Sequence, residues 1–254
     1  MQEGYIPLQG ETVRDLPDPM EAFLQSSEEW QTRNRVLARS LAELLDAFMP
    51  ATGEERALDV GCQDGALTRI LADHVDLQWW GVDPVIEEPM KLSQRIELLP
   101  GSAHALPFRH DFFRCAVFAN VYEHVIPDRR GESLAELRRV LFPGGIVVGQ
   151  LPNPYFPIES HSRLPFMGWL PTRLQRVYYQ LSPVPWEHDF FVVTIRDLLR
   201  RAERAGFETL YRKRFNYPLE VIPEKLRLAA RLLERPMRYI PWAWQFVLRR
   251  PNGP

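Results

Sequence analysis

The sequence has little cysteine and no long apolar segment. Its 254 residues include two cysteines, Cys62 and Cys115, each beside a predicted strand. We therefore expect no disulfide framework, and a reducing compartment suits the chain. No apolar run reaches the roughly 18 residues that span a bilayer. The first fifteen residues carry charges where a signal peptide has an apolar core, so we expect a cytoplasmic protein.

The sequence also lacks a strong overall charge, but its two parts differ. The net charge is −2, yet residues 1–154 hold 14 Lys and Arg against 24 Asp and Glu, and residues 155–254 hold 17 against 9. A basic C-terminal part is typical of contact with an anionic substrate, the inner face of a membrane or a nucleic acid. Solvated arginine-rich helix faces give the same composition. We rank peripheral membrane contact above nucleic-acid binding, and the oligomeric state stays open.

Short apolar strands alternate with amphipathic helices in the first part of the chain. We predict strands at 56–61, 77–83, 95–101, 115–121 and 145–151, and helices at 18–48, 66–74 and 131–141. This alternation is typical of an α/β fold, in which a mostly parallel sheet has helices on both faces. Each crossover should be right-handed.

The pattern changes after residue 151. Residues 152–171 contain five prolines, too many for a regular element. A helix at 194–205, a strand at 206–215 and an amphipathic helix at 223–234 are predicted next. The last apolar segment, 242–250, has the tryptophans and arginines of a membrane-surface segment, but we interpret it as a strand because the sheet needs a final member.

We divide the chain into four parts on this basis. Residues 1–55 form a helical lead packed on the core, and residues 56–151 form a Rossmann-like core. Residues 152–205 are an insertion that caps the site. Residues 206–254 complete the same domain with strands and a helix.

The turn LDVGCQDG, residues 58–65, follows the first predicted strand. An open parallel sheet binds its ligand beyond the carboxyl ends of its strands, so a cofactor is expected first at this turn. The pattern is DxGxxxG and not the GxGxxG of dinucleotide-binding turns. We place the Asp59 carboxylate near the pocket mouth, where it would repel a pyrophosphate and favour an ammonium or sulfonium group.

Five blocks in order resemble the class I S-adenosylmethionine-dependent methyltransferases, in particular the type 11 methyltransferase domain. They are LDVGCQDG, WGVDP, GSAHALPF, ANVYEHV and LRRVLFPGGIVVGQLPN, all between residues 56 and 153. The resemblance implies a Rossmann-like, seven-stranded sheet with a final antiparallel strand. It also implies S-adenosyl-L-methionine as cofactor, with Asp83 accepting both ribose hydroxyls. The implied cofactor contacts are Asp59, Gly61, Cys62, Gln63, Gly65, Asp83, Pro84, Ser102, Ala103 and Asn120.

Three residues depart from the pattern of that family. Gln63 stands where the family has a middle glycine, so its backbone must avoid a positive φ or accept about 1 kcal/mol of strain. Ser102 replaces an aspartate that faces the adenine amino group, and Arg114 replaces an acidic residue before the fourth strand. These departures support an alternative in which the chain is a binding module without turnover.

The resemblance implies methyl transfer to an acceptor held by the cap. We predict O-methylation of a small-molecule, glycan or lipid-linked acceptor, because the cap is rich in aromatic side chains. A hydroxyl acceptor needs a base; the candidates are His161 beside Glu159, and then His188. The histidines could equally tie the proline-rich loop to its neighbours. Methylation of tRNA or protein is an alternative, and a nicotinamide-dependent oxidoreductase is disfavoured by DxGxxxG.

Glu123 and His124 follow the fourth predicted strand. A histidine beside a carboxylate is a suitable pair of metal ligands. The resemblance implies a divalent metal where relatives have a GluxxGluHis pattern, but here Asn120 stands at the first position of that pattern, which removes one charged ligand. We therefore predict no metal, and we expect Glu123 to cap a helix start near the positive end of the helix dipole.

Overall fold

The structure is a computed structural model that describes residues 28–50, 55–183, 189–218, 221 and 239–253. Within these residues one sheet has eight strands: β1 Arg56–Val60, β2 Gln78–Asp83, β3 Met90–Ser93, β4 Ile96–Pro100, β5 Phe113–Ala119, β6 Leu141–Pro152, β7 Glu208–Phe215 and β8 Ala243–Arg249. Their order is β3-β4-β2-β1-β5-β6-β8-β7. Neighbouring strands from β4 to β6 are parallel, β3 is antiparallel to β4, and β8 is antiparallel to β6 and β7.

The helices of the described chain are α1 Glu28–Phe48, α2 Ala66–His74, α3 Arg130–Val140, α4 Thr172–Tyr179 and α5 Ile195–Arg204, with short 3-10 turns at Pro127–Arg129 and Met167–Trp169. Helices α1 and α2 pack together, as do α3 and α5. None of these helices is both long and apolar enough to cross a bilayer.

The central strands bury both of their faces. Ala57 of β1 packs in a core with Leu41 of α1 and Leu71 of α2. The next residue, Leu58, packs in a second core with Leu134 of α3. Successive strand residues point to opposite faces, so β1 needs apolar residues at every position and helices on both sides.

The α/β fold with a mostly parallel sheet is confirmed, and the strands and helices predicted between residues 56 and 215 are present with small shifts at their ends. The sheet has eight strands and not seven, because the sequence pattern missed β3. That strand lies at the sheet edge and is mostly exposed, so it carries no apolar signal. Helix α4, which follows the proline-rich segment 152–171, was also missed.

The segment 242–250 is confirmed as a strand, β8. Its residues Phe246, Val247 and Leu248 are fully buried between β6 and β7, which leaves them no surface for a membrane. The helix predicted at 223–234 and the first ten residues of the helix predicted at 18–48 lie outside the described residues. The four-part division of the chain stays a prediction.

Candidate cofactor and acceptor site

The order in which strands are added to the sheet reverses at β1, which pairs with β2 on one side and with β5 on the other. Connections that leave in opposite directions open a crevice at the carboxyl ends of such strands. Three segments follow or end those strands: the turn 61–65 after β1, Asp83 at the end of β2, and residues 120–124 after β5. Each belongs to a block for which the sequence predicted a cofactor site.

The turn after β1 depends on both of its glycines. Gly61 has a φ of 77° and Gly65 a φ of 78°, in the left-handed region that other residues rarely adopt. A Cβ on Gly61 would lie 2.3 Å from Cγ2 of Val121, in the segment after β5. The two segments are therefore in close contact at the switch point of the sheet.

Four amides of this turn are bonded within the chain. Gly61 and Cys62 donate to a carbonyl of β2 at 2.7 and 3.3 Å, and Gly65 donates to the Cys62 carbonyl at 2.9 Å. The Gln63 amide donates to Oδ2 of Asp83 at 2.9 Å. Dinucleotide-binding turns present such amides to a pyrophosphate. Because these four amides already donate hydrogen bonds within the chain, they are not free to bind a pyrophosphate. This argues against the nicotinamide-dependent oxidoreductase.

Asp83 is a buried carboxylate that keeps bonding capacity for a ligand. Its side chain accepts hydrogen bonds from the amides of Val85 at 3.0 Å and Gln63 at 2.9 Å. Burial raises the pKa of Asp83, and these two hydrogen bonds oppose the rise. A carboxylate has about four acceptor positions, so Asp83 can accept two more donors. The two hydroxyls of a ribose fit that capacity.

Asp59 does not lie at the pocket mouth, contrary to the prediction. It is 2% exposed, and its Oδ2 accepts a hydrogen bond from Oγ1 of Thr68 in α2 at 2.6 Å. Burial raises the pKa of Asp59 to about 7; the Thr68 bond opposes the rise and the charge of Asp83 adds to it. Any attraction for a sulfonium group therefore acts through the buried turn and not by contact.

Gln63 takes the strained conformation, with a φ of 49°. This is the second of the two possibilities that the sequence left open, and it costs on the order of 1 kcal/mol. Cys62 turns its thiol away from the crevice, since a Cβ on Gly81 of β2 would lie 2.6 Å from Sγ. The cofactor contact predicted for Cys62 stays a prediction, and its backbone is the part that can make it.

The segment predicted to line the adenine follows β4, the neighbour of β2. Ser102 and Ala103 are buried there. The Ser102 hydroxyl lies 3.2 Å from Nδ1 of His104, so it already has a partner within the chain. Pro84 is exposed beside Asp83.

A buried polar network reaches the crevice and was not predicted. Asn120, with a φ of 58°, accepts a hydrogen bond from Gln150 of β6 at 3.2 Å. Gln150 also contacts the Tyr217 hydroxyl at 3.1 Å and accepts from Gln245 of β8 at 3.4 Å, and Gln245 accepts from Ser40 of α1 at 2.9 Å. The sequence offered one signal for this network, because Gln150 is a polar residue in an otherwise apolar predicted strand.

Arg114 has a structural role away from the crevice. Its guanidinium donates from Nε to the Pro50 carbonyl at 2.7 Å and makes a second bond to the same oxygen. It thus fastens the chain that follows α1 to β5. The departure of Arg114 from the family pattern therefore gives no support to the alternative of a binding module without turnover.

His161 lies between two carboxylates. Its Nδ1 is 2.8 Å from Oε1 of Glu159, and its Nε2 is 3.6 Å from Oε1 of Glu123. Burial lowers the pKa of His161, but the two carboxylates outweigh burial and raise it to about 10. A histidine held between two carboxylates keeps its proton more firmly than a free imidazole, which disfavours it as the acceptor of a proton from a hydroxyl. This argues against the predicted role of His161 as general base.

Glu159 organises the loop that carries His161. Its Oε2 accepts from the amides of His161 at 3.0 Å and Ser162 at 2.6 Å. Burial acts to raise the pKa of Glu159, but its bonds to these two residues outweigh burial and lower it to about 2. The loop-tying role left open by the sequence accounts for these contacts. His188, the second candidate base, lies outside the described residues.

The cap segment contacts the turn that follows β5. The Phe191 amide donates to the Glu123 carbonyl at 2.8 Å, and Oδ2 of Asp189 lies 3.2 Å from Nδ1 of His124. The rings of His124 and His161 meet edge to face, with centroids 5.0 Å apart. Residues on both sides of the undescribed segment 184–188 thus reach the turn after β5.

Glu123 does not cap a helix, contrary to the prediction. It is 4% exposed, and neither carboxylate oxygen accepts a hydrogen bond from any residue that the structure describes. Glu123, His124 and His161 each offer one ligand atom, and these atoms lie within 4.8 Å of one another. His161 thus offers a third candidate ligand from outside the turn, and the absence of a metal stays a prediction.

The sheet order, the glycine turn and the acidic end of β2 define a Rossmann-like methyltransferase fold. Residues 58–149 match the model of a family described as a methyltransferase domain. This match confirms the resemblance found in the sequence for those residues. No curated protein sequence matches the chain.

Solved structures share the fold at low sequence identity. An S-adenosylmethionine-dependent methyltransferase from Mesorhizobium loti is 17% identical, with a TM-score of 0.56 over 89% of this chain and 100% of that chain. One from Archaeoglobus fulgidus is 16% identical, with a TM-score of 0.55 over 92% and 100%. The cyclase SpnF is 18% identical, with a TM-score of 0.56 over 98% and 87%. Such identities show the fold alone.

Proposed function

We propose that the protein is an S-adenosyl-L-methionine-dependent methyltransferase that acts on a hydroxyl of a small-molecule, glycan or lipid-linked acceptor. The observation that carries the proposal is Asp83, a buried carboxylate at the end of β2 that holds two backbone amides and can accept two further donors. Residue 83 also lies within residues 58–149, the range that matches the methyltransferase domain model, which supports the proposal.

The turn after β1 supports a cofactor without a pyrophosphate. Its amides at Gly61, Cys62, Gln63 and Gly65 are bonded within the chain. S-adenosylmethionine needs no phosphate cradle, and it supplies a methyl group already activated by its sulfonium. The chain then mainly has to align the acceptor and exclude water.

The surface of the cap supports an apolar or lipid-linked acceptor. Between residues 155 and 191 the described chain exposes eight large apolar side chains: Tyr155, Ile158, Phe166, Trp169, Leu174, Val177, Leu181 and Phe191. Exposed apolar groups gathered in one segment are typical of a binding surface. This segment also carries His161 and Asp189, which reach the turn after β5.

Calorimetry with S-adenosylhomocysteine tests cofactor binding. We expect the wild type to bind and Asp83→Ala to lose at least about tenfold in affinity, since two ligand hydrogen bonds to a charged group are removed. Asp76→Ala is the matched control, because Asp76 precedes the opposite end of β2 with its side chain 95% exposed. No heat with the wild type, or equal affinity in Asp83→Ala, would show that the proposal is wrong.

Labelled S-adenosylmethionine incubated with separate lipid, glycan, RNA and protein fractions tests the acceptor. We expect label in the lipid or glycan fraction. Label in RNA or protein would favour a macromolecular acceptor. The strained backbone of Gln63 and the neutral Ser102 favour a second candidate, a methyltransferase-fold module that binds the cofactor without methyl transfer. Binding with no label in any fraction would support it.

A further inference from the structure

Three potential metal ligands meet beside the proposed cofactor crevice. Glu123 and His124 lie in the turn after β5, and His161 comes from the cap loop. One ligand atom of each lies within 4.8 Å of the other two. The same turn touches the glycine turn at Val121, which places this cluster close to the crevice.

Glu123 is a buried acceptor without a donor. The side chain is 4% exposed, and neither oxygen accepts a hydrogen bond from the described part of the chain. A buried carboxylate without hydrogen bonds is costly, and native proteins rarely keep one without a ligand or ion. Its neighbour His161 lies at ion-pair distance, with Nε2 3.6 Å from Oε1, and does not donate a hydrogen bond to it. A cation bound to both side chains would give the carboxylate the direct bond that it lacks.

The spacing of the ligand atoms fits a metal better than a hydrogen bond. Nε2 of His161 and Oε1 of Glu123 are 3.6 Å apart, which is too long for a hydrogen bond. Two atoms bound to one tetrahedral zinc ion at its usual distances lie ~3.4 Å apart. The side chain of His124 is 32% exposed, so its ring has room to turn and bring a nitrogen closer to the other two ligand atoms.

Each histidine also has the outer partner that metal ligands commonly have. Oε1 of Glu159 lies 2.8 Å from Nδ1 of His161, and Oδ2 of Asp189 lies 3.2 Å from Nδ1 of His124. A carboxylate at one ring nitrogen orients the ring and leaves the other nitrogen for a metal. In both rings the nitrogen left over is Nε2.

We propose that Glu123, His124 and His161 bind a divalent transition-metal ion such as Zn²⁺. Two imidazoles and a carboxylate suit zinc and its neighbours in the first row, and they suit Mg²⁺ or Ca²⁺ less well. Three protein ligands leave one position open, as in catalytic and not structural zinc sites. An oxygen of the acceptor could take that position; this consequence rests on the proposed function, whereas the metal site does not.

Metal titration of the whole chain tests the site. Chelator-treated protein is titrated with Zn²⁺ by calorimetry and with Co²⁺ by visible absorption. We expect one ion per chain, and an affinity at least about tenfold lower in Glu123→Gln and in His161→Gln. The control is His110→Gln, at an exposed histidine away from the cluster, which should bind as the wild type does.

The outcomes separate the metal site from the proposed function. The metal site is wrong if the wild type binds no ion with one-to-one stoichiometry, or if both variants bind as well as the wild type. Should the buried variants fail to fold, His124→Gln at its partly exposed position decides: Zn²⁺ should raise the Tm of the wild type and leave that of this variant unchanged. Binding of S-adenosylhomocysteine is measured separately on metal-free protein, so either property can fail alone.

Discussion

The cofactor crevice and the cluster around His161 are built in different ways. The crevice is made by backbone: the positive φ angles of the turn after β1 and the amide that Gln63 donates to Asp83. The cluster is made by side chains, since Glu123 and Glu159 approach His161 from different segments. A site formed by the backbone of one β-α-β unit is visible in the order of residues, whereas a site formed by distant side chains becomes visible only in the fold.

The largest effect is expected at Gly61, where the turn beside the crevice has no room for a side chain. In Gly61→Ala, the new Cβ would lie 2.3 Å from Val121 at a φ of 77°. Left-handed strain and overpacking together should cost roughly 2–5 kcal/mol of unfolding free energy, measured by urea denaturation, and should abolish S-adenosylhomocysteine binding.

The matched control for this change is Gly131→Ala. Gly131 lies in α3 and has nothing within 4 Å of the site of a new Cβ, so alanine there should be neutral or stabilising by about 0.5–1 kcal/mol. Equal losses in the two variants would contradict the view that the backbone of the turn sets the crevice.

Asp59 shows the cost of burying a charge under the same turn. Its pKa of about 7 lies above the ordinary 3.8, so the folded protein keeps this proton to higher pH than the unfolded chain does. The contribution of Asp59 to stability is complete below the ordinary pKa and is lost as the pH rises through 7. Relative to Asp59→Asn, the wild type should lose about 3 kcal/mol of unfolding free energy between about pH 5 and pH 8.

Urea denaturation of both proteins at the two pH values measures this difference. Glu132→Gln serves as control, because Glu132 is half exposed in a surface pair with Arg129 and should leave the pH profile of the wild type unchanged. If Asp59→Asn and the wild type share one profile, Asp59 is ionised in the folded protein and burial does not set its pKa.

A smaller and local effect is expected in the cap. Glu159→Ala removes the acceptor of the His161 and Ser162 amides, while the sheet and its two cores keep their contacts. The loop should open more readily by about 2 kcal/mol, which is roughly a 30-fold faster hydrogen exchange of these two amides. Exchange in β1 and β5 should not change; faster exchange there would show that cap and core unfold together.

The sequence predicts the crevice better than the cluster for physical reasons. Buried strands need apolar residues on both faces, so β1 and β5 are conspicuous, whereas the exposed edge strand β3 has no such constraint. Gly61 and Gln63 could be interpreted from local backbone requirements alone. The role of Glu123 could not, because it depends on which loop covers the turn after β5. The burial of Asp59 was missed for a different reason: its carboxylate bonds to Thr68 in the next helix, and the pattern of the turn does not show that this side chain points toward that helix.

The smallest effect concerns Gln63, where the turn keeps a side chain at a φ of 49°. In Gln63→Gly, relief of left-handed strain should stabilise the folded state by about 1 kcal/mol, partly offset by the greater freedom of glycine in the unfolded chain. Gln78→Gly is the control: Gln78 is exposed at the start of β2, so glycine there should destabilise by about 0.5–1 kcal/mol. Calorimetry should show S-adenosylhomocysteine binding at least as tight in Gln63→Gly as in the wild type. If both glycine variants lose stability equally, the turn carries no strain at Gln63, and the crevice tolerates a side chain there without cost.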